Sequence, residues 1–140
     1  MTALFVKRLD ETVRLPERKT AGAAGYDIYA RDSAKIKKGE IFTFQTGLAF
    51  HIPDGYVGRI LGRSSLERQG LHVLAGVIDS DYRGEIGLVF KNLTQSEIVW
   101  LRGDRIAQLL IQKIETWPVF ELGELSESER SSGGFGSTGA

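Results

Sequence analysis

Cysteine is absent from the 140 residues. Disulfides, thiolate metal sites and thiol nucleophiles are thereby excluded together, and the composition suits a reducing compartment. A charge surplus is missing as well, since 18 basic residues balance 18 acidic ones. A protein that grips a nucleic-acid polymer through its phosphates ordinarily carries a basic excess, so any anion bound here is expected to be small and met by a local cluster. Long hydrophobic runs are also lacking. Met1 to Asp10 has no signal-peptide core, and no run reaches membrane-spanning length. The expectation is a soluble, cytoplasmic protein with neither a membrane nor a nucleic-acid polymer as partner.

What is present is one domain's worth of chain, with an apolar fraction of 41% that matches an ordinary globular core. Turn signals recur at short intervals: Lys37-Lys38-Gly39-Glu40, Ile52-Pro53-Asp54-Gly55, and the stretch from Asp79 to Gly84. Between them lie short apolar or alternating segments, at Leu4 to Leu9, Ile41 to Phe44, Gly47 to Phe50, Tyr56 to Leu61, Leu71 to Ile78, Glu85 to Lys91 and Ile98 to Leu101. In the sixth, Ile86, Leu88 and Phe90 share one face at period two. Many short strands separated by turns predict an all-β sandwich or barrel. From Ile106 to Trp117 the apolar spacing fits an amphipathic helix and an alternating strand equally well. A short helix is predicted at Ser64 to Gln69, where Ser64 and Glu67 have capping-box spacing and Gly70 is a stop. Its start, just after Arg63, would offer free backbone N–H groups near Ser65 to a phosphate. After Leu122 the chain becomes rich in Ser, Gly and Glu. Residues 123–140 cannot bury enough apolar area to offset an ordering entropy of roughly 1–2 kcal/mol per residue, so a flexible tail is expected after a domain spanning 1–122.

Five segments stand out as candidates for a functional role. They are Ala24-Gly25-Tyr26-Asp27-Ile28; Gly62-Arg63-Ser64-Ser65-Leu66; Gly76-Val77-Ile78-Asp79-Ser80-Asp81-Tyr82-Arg83-Gly84-Glu85-Ile86; Gly103-Asp104-Arg105-Ile106-Ala107-Gln108-Leu109; and Arg130-Ser131-Ser132-Gly133-Gly134-Phe135-Gly136-Ser137-Thr138-Gly139. Taken one at a time, most have plain readings: a capped helix beside a surface arginine, aspartates in a turn, a polar residue at a strand edge, a loose Ser/Gly terminus. The last lacks the lysine of a Walker-type phosphate loop. His51 and His72 lie outside all five and read as structural. In their joint order, the five resemble the motifs of the homotrimeric, all-β dUTP diphosphatases. Departures are small: Ile28 stands where leucine is usual, and Ser131 where glycine is common.

The resemblance implies a jelly-roll-like β-barrel of the β-clip type, with one short helix and a C-terminal lid, and it favours a strand over Ile106 to Lys113. It implies hydrolysis of dUTP to dUMP and pyrophosphate by water attack on the α-phosphorus, with Mg²⁺. That activity limits uracil incorporation into DNA and supplies dUMP for dTMP synthesis. Asp79 would be the general base. Arg63, Ser64, Ser65 and Gln108 would face the phosphates, and Asp27 would hold the metal through water. The backbone of Gly76, Val77 and Ile78 would read uracil, and the ring of Tyr82 would refuse a ribose 2′-hydroxyl. Phe135, with Gly136, would cover the base while Arg130, Ser137 and Thr138 bind the γ-phosphate. Asp104 and Arg105 are expected only to build a turn. Each site would combine three chains. A dCTP deaminase shares the fold, but the Asp79 to Tyr82 loop and the tail match the hydrolase pattern. A silent nucleotide-sensing module is the other rival, although every catalytic group is present.

Overall fold

The architecture follows from where alternation places apolar side chains. In the strand Glu85–Asn92, every second residue from Ile86 to Asn92 is buried and those between are half-buried, the pattern of a sheet with one face on the core. The computed structural model describes residues 2–139. Met1 and Ala140, the outermost residues of the expected domain and tail, lie outside them. In chain order the elements are β1 (Phe5–Arg8), β2 (Tyr26–Tyr29), β3 (Ala34–Ile36), β4 (Ile41–His51), β5 (Tyr56–Leu61), α1 (Ser64–Gln69), β6 (Leu71–Ala75), β7 (Val77–Ile78), β8 (Glu85–Asn92), β9 (Ile98–Trp100) and β10 (Arg105–Lys113). They form an all-β fold of three sheets, ordered β1-β4-β8-β6, β2-β10-β5-β7 and β3-β9, with one short helix. Among the described residues no helix is long and apolar enough to cross a membrane.

The ambiguous segment is a strand because it has two partners. β10 pairs with β2 on one side and β5 on the other; a helix would satisfy only its own backbone groups and leave the facing groups of both neighbours unpaired. A register shift between Arg105 and Ala107 lets both Ile106 and Ala107 be buried. Ile41 to Phe44 and Gly47 to Phe50 prove to be one strand, β4, whose pairing with β8 shifts between Gln45 and Ala49. Leu71 to Ile78 is two strands in different sheets, parted at Gly76.

The sheets meet at Trp100. Its indole packs edge-on against Phe44 and Phe90, with centroids 5.3 and 5.1 Å away, and its ring N–H donates to the Asp32 carbonyl at 3.0 Å. Each such aromatic pair contributes about 0.5–1.5 kcal/mol beyond area burial. Asn92, fully buried at the end of β8, donates to the carbonyls of Ile36 and Ser96 and accepts from Thr94. It ties the third sheet to the first.

The helix spans the predicted residues and ends on Gly70, which is left-handed at φ 96°. The capping box does not form. Arg63 is the N-cap, with no side-chain cap bond, because Glu67 is engaged elsewhere. Its carboxylate accepts from the Val73 N–H at 3.2 Å and contacts His72 Nδ1 at 2.8 Å. The first amides of the helix are therefore left without a side-chain acceptor.

Candidate active site

Three of the five motifs converge within one chain, and strand register is the reason. Gln108 on β10 lies opposite Asp27 on β2 and opposite Leu61 on β5. Motifs one and four thus sit side by side, and motif two begins where β5 ends. Gln108 is an interior strand residue, and its amide Nε2 donates to the Gly62 carbonyl at 2.9 Å. Asp27 is a strand residue rather than a turn residue. Its backbone N–H donates to the Glu17 carbonyl at 2.8 Å, which fixes β2 from its open side.

The carboxylate of Asp27, 15% exposed, stands between two guanidinium groups. Arg63 Nε lies 3.5 Å from one oxygen and Arg105 Nη1 3.3 Å from the other. Arg63 Nη1 also donates to the Arg105 carbonyl at 3.1 Å. Arg105 therefore does more than build a turn, whereas Asp104 does serve the turn, accepting the Leu101 N–H at 2.9 Å. No local pattern foretells the Arg105 contact, because its partner is 78 residues away.

Beside this cluster opens a cleft of about 520 Å³, with Arg63, Ser65 and Arg105 on one wall and Arg14, Lys19 and Tyr29 on another. The second wall is organised by Glu17. Its Oε1 accepts from Arg14 at 2.8 Å, Lys19 at 2.6 Å and the Tyr29 hydroxyl at 2.6 Å. The Lys19 hydrogen bond, followed by that of Tyr29, holds the Glu17 carboxyl down to about 2. The same contact with Glu17 raises Lys19 above its ordinary range. Glu17 stays ionised and keeps the wall in place at any pH near neutral. Sequence reasoning missed these residues.

Motif three lies elsewhere. Ile78 pairs with Gly58, while Arg63 follows the opposite end of β5, so the Asp79 loop is set apart from Arg63 by on the order of 15 Å along the strand direction. Asp79 is exposed, and its carboxylate makes no hydrogen bond among the described residues. Tyr82, 46% exposed, donates its hydroxyl to the Glu85 carbonyl at 2.9 Å. β7 is the edge strand of its sheet. One row of its backbone groups pairs with β5, including the Gly76 carbonyl that accepts from Ile60 N–H at 2.9 Å. The outer row is unpaired within the sheet. Val77 is exposed and Ile78 buried.

The tail is organised by its own turns. Bonds run from Gly133 N–H to the Arg130 carbonyl, from Ser137 N–H to the Gly134 carbonyl, and from Arg130 Nε to the Gly133 carbonyl. They bring Arg130, Ser137 and Thr138 around one concavity of about 480 Å³. Phe135 is fully exposed. Ser131, the departure from the usual glycine, has a left-handed φ of 49°, a conformation that a residue with a Cβ adopts at a cost of about 1 kcal/mol or more.

Comparison with known proteins assigns the family. The dUTPase family model matches residues 11–139. A deoxyuridine 5′-triphosphate nucleotidohydrolase of Paramecium bursaria Chlorella virus 1 is 44% identical over 140 residues, covering 99% of each chain. Among solved structures, a mutant dUTPase of Staphylococcus bacteriophage 80alpha with dUpNHpp superposes with a TM-score of 0.95 at 30% identity, covering 100% of both chains. A mutant dUTPase from phage phi11 of S. aureus, solved for the coordination of a structural Mg(II) ion, superposes with a TM-score of 0.84 at 28% identity, covering 89% of this chain and 99% of that one. The chain belongs to the dUTPase family and is an enzyme that hydrolyses dUTP to dUMP and pyrophosphate.

Proposed function

We propose that dUTP is hydrolysed in sites shared among three copies of the chain. Asp27, Arg63, Ser64, Ser65 and Gln108 come from one copy, the Asp79 to Tyr82 loop from a second, and the tail from Arg130 to Thr138 from a third. The observation that carries this reading is the row formed by Asp27, Gln108 and the end of β5, which groups the phosphate-facing residues while leaving the Asp79 loop of the same chain distant. In the same reading the sheets close into a β-clip barrel over 1–122, and 123–140 acts as a flexible lid. A cysteine-free composition fits a cytoplasmic enzyme.

Each step of the chemistry then has a group to perform it. Arg63, the Ser64 and Ser65 hydroxyls and the amides at the start of α1 bind phosphate oxygens, with the Gln108 amide as a further donor. Arg63 can turn from Asp27 to phosphate without stranding the carboxylate, since Arg105 remains beside it. Asp79 orients a water in line with the α-phosphorus and takes its proton. The outer edge of β7 at Gly76 to Ile78 offers backbone donors and acceptors complementary to uracil. Cytosine inverts that pattern and would leave buried polar groups unpaired. The ring of Tyr82 packs under the deoxyribose. Phe135 and Gly136 close over the base while Arg130, Ser137 and Thr138 hold the γ-phosphate and exclude water.

The donor set also bears on Mg²⁺. Among the described residues no group of three or more His, Asp or Glu side chains is placed to hold an ion, and Asp27 is a lone carboxylate at the phosphate-facing cluster. Such a set fits an ion carried by the triphosphate and met by Asp27 through water. When bound, Mg²⁺ neutralises charge on the phosphate oxygens during transfer.

The test is pyrophosphate release from dUTP, with Mg²⁺ and with a chelator. Release is expected with dUTP alone among dUTP, dCTP and UTP, and chelation should lower it by about tenfold or more. Ammonia release from dCTP would replace this reading with a deaminase. Full activity in chelator would remove Mg²⁺ from it.

A further inference from the structure

Tyr82 is held from two directions by residues that none of the roles above includes. Its hydroxyl donates to the Glu85 carbonyl at 2.9 Å. Its ring lies against Gly84 so closely that a Cβ placed there would stand 2.4 Å from the Tyr82 oxygen and 2.6 Å from Cζ. Real Cβ atoms do not approach that near, so any larger residue at 84 must push the ring aside. An exposed ring at a loop tip ordinarily samples several rotamers. Here one pose is selected by a missing side chain and a single acceptor.

That acceptor is itself fixed. The Glu85 carboxylate accepts the Gly47 N–H at 2.8 Å and faces Arg31 Nη1 at 3.6 Å. Arg31 is in turn braced by Asp10 at 3.4 Å and Asp32 at 3.5 Å. One residue further, the Ile86 carbonyl accepts from the buried Thr46 hydroxyl at 2.7 Å. Both bonds run to the irregular stretch of β4 between Gln45 and Ala49. The start of β8, and with it the carbonyl that anchors Tyr82, is thus bolted to the neighbouring strand.

We infer that Gly84 and Glu85 are specificity-determining positioning residues: they set the Tyr82 ring in the one pose that excludes a 2′-hydroxyl. The inference rests on the reading of Tyr82 as the sugar filter. It differs from that reading in asserting that the pose of the ring, and not its presence alone, carries the selection.

The measurement is the ratio of kcat/KM for dUTP to that for UTP, in Tyr82→Ala, Tyr82→Phe and Gly84→Ala. Tyr82→Ala removes the ring, Tyr82→Phe removes only its anchor, and Gly84→Ala displaces it. All three are expected to lower the ratio by about tenfold or more, with the alanine at 82 lowering it furthest. A merely structural role would change rates on both substrates alike and leave the ratio unmoved. A wild-type ratio in Tyr82→Phe and Gly84→Ala, with a collapsed ratio in Tyr82→Ala, overturns the inference and leaves the sugar filter standing. A wild-type ratio in all three overturns both. Should Gly84→Ala fail to fold, Tyr82→Phe decides alone, since it alters only an exposed hydroxyl.

Discussion

Replacing Asp79 by asparagine is expected to preserve nucleotide binding and to lower kcat by about 10²–10⁴-fold, the usual share of a general base. The substitution keeps shape and removes the ability to take a proton. It should be structurally quiet for a reason visible in the loop. The turn is closed by backbone groups, Tyr82 N–H to the Asp79 carbonyl at 3.2 Å, and by the Arg83 guanidinium donating to the Ser80 and Tyr82 carbonyls. The Asp79 carboxylate takes no part in either. Loss of rate with an unchanged fold therefore reads as lost chemistry. Titration with a non-hydrolysable dUTP analogue measures binding, and pyrophosphate release measures turnover. A near-normal kcat would refute the assignment.

Deletion of Arg130 to Ala140 is expected to leave the fold and the assembly intact while reducing kcat/KM by about 10²-fold or more, the scale of loss when positioning groups are removed. The buried core ends at Leu109 in the sequence. Among the described residues, the last hydrogen bond from the chain's C-terminal stretch back to the strand region is Ile114 N–H to the Gly55 carbonyl at 2.9 Å. Among the described residues, the hydrogen bonds of 128–139 stay within the tail, so removing it exposes no core and orphans no partner. The lid hypothesis makes the tail's worth depend on substrate: ordering costs roughly 1–2 kcal/mol per residue and is offset only when Arg130, Ser137, Thr138 and Phe135 find a nucleotide. An unchanged thermal midpoint with a collapsed rate supports it. A truncated enzyme of full activity would reject it.

Much of the fold was legible because the relevant patterns are local. Glu85 to Lys91 alternates and is a strand; Ser64 to Gln69 is a helix stopped by Gly70. β2 was not legible. Ile28, Tyr29 and Ala30 are all buried, so Tyr26 to Tyr29 shows no alternation and its pairing depends on Glu17 and β10, distant in sequence. The capping box failed for a related reason, since the motif spacing is present but Glu67 has better partners in His72 and Val73. Within the site, the residue types were readable from the motifs. What no motif encodes is register. That Gln108 faces Asp27, and that Arg105 reaches it from two positions beyond the turn, follows from how β10 is seated between β2 and β5. The Ser131 departure acquired its meaning only from a dihedral angle.

The burial of Trp100 has a spectroscopic corollary. The chain has two tryptophans: Trp100 is 2% exposed among phenylalanine rings, and Trp117, past the end of β10, is 78% exposed. One indole emits from a dry, rigid setting and the other from water. In a single, unassembled chain a soluble quencher therefore reaches only the second, and assembly that covers the C-terminal arm would shield it, so the emission of the two separates loss of the core from events at that arm without any label being introduced.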